Sequence, residues 1–123
     1  MSFLPPYSIV PSAPPSDVLV ITKDSRSVSL SWNAPPAADH NGQLTGYTIK
    51  VKDQNGDEAR PSLTTDNTCT STNVDGLKPN TDYIFQVSAM TAAGTGTPTS
   101  KKGRTAEGGK IAYLFIIYSV LRT

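Results

Sequence analysis

No disulfide can form within this chain, because its 123 residues include a single cysteine, Cys69. Histidine is equally scarce, with His40 alone. These two counts remove most site chemistry. A structural or catalytic metal needs three or four clustered ligands, and the sequence offers no such cluster. A nucleophile needs a base within hydrogen-bond reach, yet His40 lies in the polar stretch Asp39-His40-Asn41-Gly42 and Cys69 belongs to another segment. The expectation is therefore no catalytic residue, no metal and no cofactor. Gly94-Thr95-Gly96 precedes no helical pattern, so it does not read as a phosphate cradle. Eleven basic residues nearly balance ten acidic ones, for a formal charge of +1. That balance gives no reason to expect nucleic acid as a partner. Long patterns of helical period are missing too. The start, Met1-Ser2-Phe3-Leu4-Pro5-Pro6-Tyr7, has neither the basic residues nor the apolar core of an export signal. The chain is then either intracellular or an internal piece of a longer exported protein.

What is abundant is turn chemistry and period-two patterning. There are ten prolines and nine glycines. In Tyr83-Ile84-Phe85-Gln86-Val87-Ser88-Ala89 one set of apolar residues alternates with a more polar set, the pattern of a half-buried strand. Ser27-Val28-Ser29-Leu30-Ser31-Trp32 alternates likewise, and Asn33-Ala34-Pro35-Pro36 stops it, since proline cannot donate to a ladder. Tyr47, Ile49 and Val51 should point inward from a third strand, with Thr48, Lys50 and Lys52 outward. Asp53-Gln54-Asn55-Gly56-Asp57 is a hairpin turn, because Asn-Gly tolerates positive φ. The full reading is seven strands, at 17–22, 27–32, 45–53, 58–63, 70–74, 82–91 and 97–105. Val18 and Val20 face inward from the first, and Thr72 and Val74 from the weak fifth.

Leu77-Lys78-Pro79-Asn80-Thr81-Asp82-Tyr83 resembles the tyrosine corner of fibronectin type III domains, in which a tyrosine hydrogen-bonds back to backbone just upstream. The series Val28-x-Leu30-x-Trp32, a Pro-rich loop, and Asn41-Gly42-x-Leu44-x-Gly46-Tyr47-x-Ile49-x-Val51 is similar to two further strands of that family. The likeness covers residues 13–105. It implies an all-β, seven-stranded immunoglobulin-like sandwich, with the first, second and fifth strands in one sheet and the other four in the second. Trp32, Tyr47, Leu77, Pro79 and Tyr83 are its structural signature. The implied organisation is a Pro-rich linker at 1–14, the domain at 15–106, and a Gly-rich break with a short apolar tail at 107–123. The implied role is a non-catalytic spacer and protein-binding module, from the ectodomain of a cell-adhesion molecule, axon-guidance receptor or receptor tyrosine phosphatase. Its partners would be proteins or neighbouring repeats, and it would sit on the extracellular side of the plasma membrane. The alternative is a cytoplasmic repeat of a muscle-type structural protein.

Four features stand apart from the strand plan. Lys50, Lys52, Lys101, Lys102 and Arg104 would partly share one outer face, where a sulfated glycan or acidic partner could bind. The plain reading is that lysines near sheet edges oppose aggregation. Asn67-Thr68-Cys69 is the rare form of the N-glycosylation sequon, and the ordinary Asn-x-Ser/Thr form is absent. Pro11-Ser12-Ala13-Pro14 matches a PxxP pattern, an expected coincidence where five of the ten prolines fall in residues 1–16. Last, residues 111–121 are mostly apolar but too few for a membrane helix of about 20 residues. They read as the truncated start of a span, a non-native tail, or an extra strand or docking segment.

Overall fold

The computed structural model describes residues 9–107. Its strands are β1 (Ser16–Thr22), β2 (Val28–Asn33), β3 (Gly46–Lys52), β4 (Glu58–Asp66), β5 (Ser71–Val74), β6 (Asp82–Thr91), β7 (Gly94–Thr95) and β8 (Thr99–Arg104). A single 3-10 turn, Ala37–Asp39, interrupts the link from β2 to β3. One sheet has the order β1-β2-β5; the other runs β4-β3-β6, with β7 and β8 both on the far side of β6. All pairings are antiparallel. This is the immunoglobulin-like sandwich expected from the sequence.

The alternation works as read. Val28, Leu30 and Trp32 of β2, Tyr47, Ile49 and Val51 of β3, and Tyr83, Phe85, Val87 and Ala89 of β6 form the buried core with Val18, Val74 and Leu77. Two strands depart from the sequence reading by more than one residue at a boundary and a third is irregular, each for a local reason. The last strand is split: Gly94–Thr95 pairs with Met90 and Thr91, and β8 resumes at Thr99, just after Pro98. The fourth strand extends to Asp66, because Leu63 through Asp66 pair in regular register with Ile49 through Gly46. β1 is irregular between Ser16 and Leu19, where Asp17 takes φ of 51°. The Asn-Gly turn forms as expected, with the positive φ at Gly56 and the Asp53 carboxylate accepting from the N–H groups of Asn55 and Asp57. At the β1–β2 turn, the Arg26 N–H and then the Ser27 hydroxyl hold the Asp24 carboxyl below its ordinary range. A lowered carboxyl favours the fold above that range and stops doing so as pH falls through its folded value. Full exposure keeps that contribution small.

The tyrosine corner is present. The Lys78 N–H donates to the Tyr83 hydroxyl at 2.8 Å. Thr105, buried just past β8, closes the same corner: its hydroxyl donates to Lys78 O at 2.6 Å and accepts from the Thr81 N–H at 3.0 Å. The sequence reading missed Thr105, because its partners lie 24 and 27 residues away. A comparison of two buried tyrosines tests the corner. Tyr83→Phe leaves the Lys78 N–H without its acceptor and should cost about 1–3 kcal/mol. Among the described residues the buried Tyr47 hydroxyl has no partner, so Tyr47→Phe should be neutral or slightly stabilising. Equal urea midpoints for the two variants would contradict the assignment.

The Pro-rich segment is seated on the domain from Ile9 onward. The Ile9 N–H donates to Asn41 O, the Asn41 side chain donates to Val10 O, and the Ser12 N–H donates to Asp39 O. The buried Thr91 hydroxyl donates to Ile9 O at 2.8 Å, and Thr99 donates to Pro15 O. Pro11 and Pro15 are fully buried. Gly96 is needed there, since a Cβ would lie 2.5 Å from Pro11 O. At the other end, the Ala106 N–H donates to Asp24 O, and the Asn80 N–H donates to Ala106 O. The described chain thus comes in beside Thr91 and leaves beside Asp82, the two ends of the ten-residue β6. At 3.2–3.4 Å per residue these ends are roughly 30 Å apart. The apolar residues 111–121 lie outside the described residues.

Candidate functional site

Strand parity sorts the basic residues. Tyr47, Ile49 and Val51 point into the core, so Thr48, Lys50 and Lys52 take the outer face of the larger sheet. The register then builds rows across it. Lys52 lies beside Ile84, and Ile84 beside Lys102. Lys50 lies beside Gln86, and Gln86 beside Ser100, with the Gln86 side chain donating to Ser100 Oγ at 3.2 Å. Asp82 faces Arg104. With strands about 4.8 Å apart, Lys52 and Lys102 are separated by about 10 Å, and Lys50 stands about 7 Å along β3 from Lys52.

The structure brings together four of the five residues read as a basic face. Lys101 is the exception: it pairs with Phe85, whose ring is in the core, so its side chain has inward parity and escapes to solvent at the sheet edge. Its lysine character is explained by that position, since a charge on an edge strand opposes pairing with another sheet. Arg104 is on the face but occupied. Its Nη1 donates to Asp82 Oδ2 at 2.9 Å, and Nε and Nη2 donate to Asn80 Oδ1 at 3.1 and 2.9 Å. Both charged side chains are about half exposed, so the pair adds little stability, yet it directs the guanidinium away from an outside ligand. Glu58 stands opposite Lys52 on the neighbouring strand. Lys50 and Lys102 are therefore the cations with no carboxylate beside them in the strand register.

Two acids, Glu58 and Asp82, were not part of the sequence reading of this face. Nothing local marks them, since each meets its cation only through strand pairing. Asp82 also lines a shallow depression of about 450 Å³, together with Gln54, Tyr83, Ile84 and Lys102. At the upper end of the face, Thr48 is buried, because Met90 folds over it with Sδ 2.8 Å from Thr48 Oγ1. The usable surface is thus the half around Lys50, Lys52, Ile84 and Lys102.

The residues weighed for catalysis are held apart. His40 Nε2 donates to Pro35 O at 2.7 Å, within the β2–β3 connection. The Cys69 thiol donates to Ser71 O at 3.0 Å, between β4 and β5. Among the described residues, no three His, Cys, Asp or Glu side chains could hold a metal together. Trp32 and Tyr47 pack edge to face, with ring centroids 5.4 Å apart. Leu77 and Tyr83 are buried in the corner and Pro79 is half-buried, so all five signature residues serve the fold.

Comparison with known proteins agrees with this geometry. The family model described as "Fibronectin type III domain" matches residues 13–105. Netrin receptor DCC of Homo sapiens is 40% identical over 93 residues, which is 76% of this chain and 6% of that protein. Neogenin of Homo sapiens is 35% identical over 92 residues, which is 75% of this chain and 6% of that relative. A crystal structure of chicken CNTN1 domains FN1–FN3 superposes with a TM-score of 0.70 at 31% identity, covering 79% of this chain and 33% of that one. The chain therefore spans about one-sixteenth of the length of these curated relatives.

Proposed function

The chain belongs to the fibronectin type III family, and from that premise we propose that it is a non-catalytic spacer and protein-binding module of a multidomain cell-surface adhesion or receptor protein, working on the extracellular side. The observation that carries this reading is the placement of the two ends of the described segment, residues 9–107. They lie at opposite poles of the sandwich, so a domain here sets its neighbours roughly 30 Å apart. The lateral faces stay free for a partner. The relatives support the compartment, since DCC is named as a receptor and receptor-type tyrosine-protein phosphatase F of Bos taurus is 36% identical over 87 residues. Fold alone would not supply the role, because this sandwich hosts many unrelated ones.

The binding surface in this reading is the half-face of Lys50, Lys52, Ile84 and Lys102. Two lysines with no carboxylate opposite them in the strand register, beside an apolar residue, suit an acidic protein patch or a sulfated glycan. The test is retention on immobilised heparin. Wild type should elute above physiological salt of about 0.15 M, and Lys50→Glu with Lys102→Glu should shift elution well below it. Lys101→Glu reverses one charge where that variant reverses two, on the other side of the strand, and should shift elution by far less than half as much. A wild type that elutes at or below physiological salt, or equal shifts for both variants, would dismiss this surface.

A further inference from the structure

We propose that Asn67 is an acceptor for an N-linked glycan, with the free Cys69 thiol as the third position of its sequon. The proposal rests on the extracellular reading above, because the modification needs passage through the secretory lumen. In the transfer, the Asn67 carboxamide nitrogen attacks C1 of an oligosaccharide carried on a lipid pyrophosphate. The Nδ2–C1 bond forms, the C1–O bond to pyrophosphate breaks, and Nδ2 gives up one proton. The lipid pyrophosphate leaves with the bonding pair. The side chain two residues on assists by hydrogen bonding, usually with the hydroxyl of Ser or Thr; a reduced thiol offers the same kind of group with weaker bonds.

The corner between β4 and β5 suits a glycan. Asn67 and Thr68 are exposed. The turn is held by its neighbour: the Asp66 carboxylate accepts from the Thr68 hydroxyl at 2.8 Å and the Thr68 N–H at 3.0 Å, and these bonds hold that carboxyl below its usual range. Asn67 uses only one of its two amide hydrogens, toward Leu44 O at 3.1 Å, and a glycosylated carboxamide still carries one N–H. Cys69 is free and has no second cysteine in the chain to pair with.

The position also has a use. β4 and β5 are each the outer strand of their sheet, and both end at this corner. The first half of β4 is protected from strand addition by Pro61 and two register irregularities. The half from Leu63 to Asp66 is regular and contains neither proline nor lysine. A glycan on Asn67 would screen that edge. It would leave the lysine half-face open, because Asp66 pairs with Gly46, at the far end of β3 from Lys52, roughly 20 Å away.

The full chain, placed behind a cleavable export signal and secreted from mammalian cells, tests the proposal. A fraction of wild-type protein should migrate more slowly and collapse on treatment with peptide-N-glycosidase. Cys69→Ala and Asn67→Gln should each abolish that species, and Cys69→Ser should increase it. No other Asn in the chain lies in an acceptor sequon, so any such glycan maps to Asn67. An unmodified wild type overturns the proposal, whether or not Cys69→Ser is modified. The supplied signal makes this outcome independent of the natural compartment, which is tested separately by surface labelling of intact cells that express the parent protein.

Discussion

Trp32→Ala is expected to lower the free energy of unfolding by about 3–5 kcal/mol, the largest single-residue effect in the domain. Small domains have only about 5–15 kcal/mol in total. Trp32 ends β2 and is 3% exposed. Its backbone N–H donates to Thr70 O at 2.9 Å, beyond the regular β2–β5 ladder. Its ring meets Tyr47 edge to face, joining the two sheets. Alanine would remove that contact and leave a void that close-packed walls can fill only partly. The indole Nε1 has no partner among the described residues, so the loss is one of packing and not of a hydrogen bond. Trp32→Phe should accordingly recover a large part of the loss. Urea unfolding at constant m-value measures both. A loss below about 1 kcal/mol for Trp32→Ala would mean that the inter-sheet packing is looser than it appears at this position.

Gly46→Ala is expected to cost about 2–4 kcal/mol, although it adds one methyl group. Gly46 opens β3, between β4 and β6, and is buried. A Cβ there would lie 2.0 Å from Thr65 O and 3.4 Å from Met90 Cε. The methionine can move aside, but Thr65 O belongs to the backbone of the paired strand. The strands would have to separate locally, and Met90 would no longer cover Thr48. Alanine at Gly56, where nothing lies within 4 Å, meets only the penalty of its φ of 85° and should cost less, about 1–2 kcal/mol. If Gly46→Ala proves the milder of the two, the tight approach of β3 to β4 is wrong.

These two positions differ in how visible they are in the sequence. Trp32 is legible because it closes an apolar alternation, Val28-x-Leu30-x-Trp32, whose period matches the pleat. Gly46 sits in a motif shared with the family, yet its reason is a carbonyl 19 residues away. The basic face was half legible. Parity within β3 assigned Lys50 and Lys52 correctly to one side. It could not assign Lys101 and Lys102 without the β6–β8 register, because a one-residue slip exchanges the two faces.

Local pattern was enough for the strands and their inward-facing residues, and the resemblance of those motifs to fibronectin type III domains implied the sandwich and the tyrosine corner. Burial on one face of a strand imposes period two on its residues, and turns demand Asn, Gly, Pro and Asp at particular offsets. These are constraints between neighbours, and a sequence displays them directly. Tertiary structure alone decided which cations have a carboxylate opposite them, since Glu58 stands across from Lys52, and Asp82 bonds Arg104, only between strands. It alone seated Ile9 to Pro15 on the domain, through bonds such as Thr91 to Ile9, 82 residues apart. It also placed Asn67 at the corner where both sheets end. Contacts of that range depend on register and on how the two sheets come together, and no single segment carries a pattern for them.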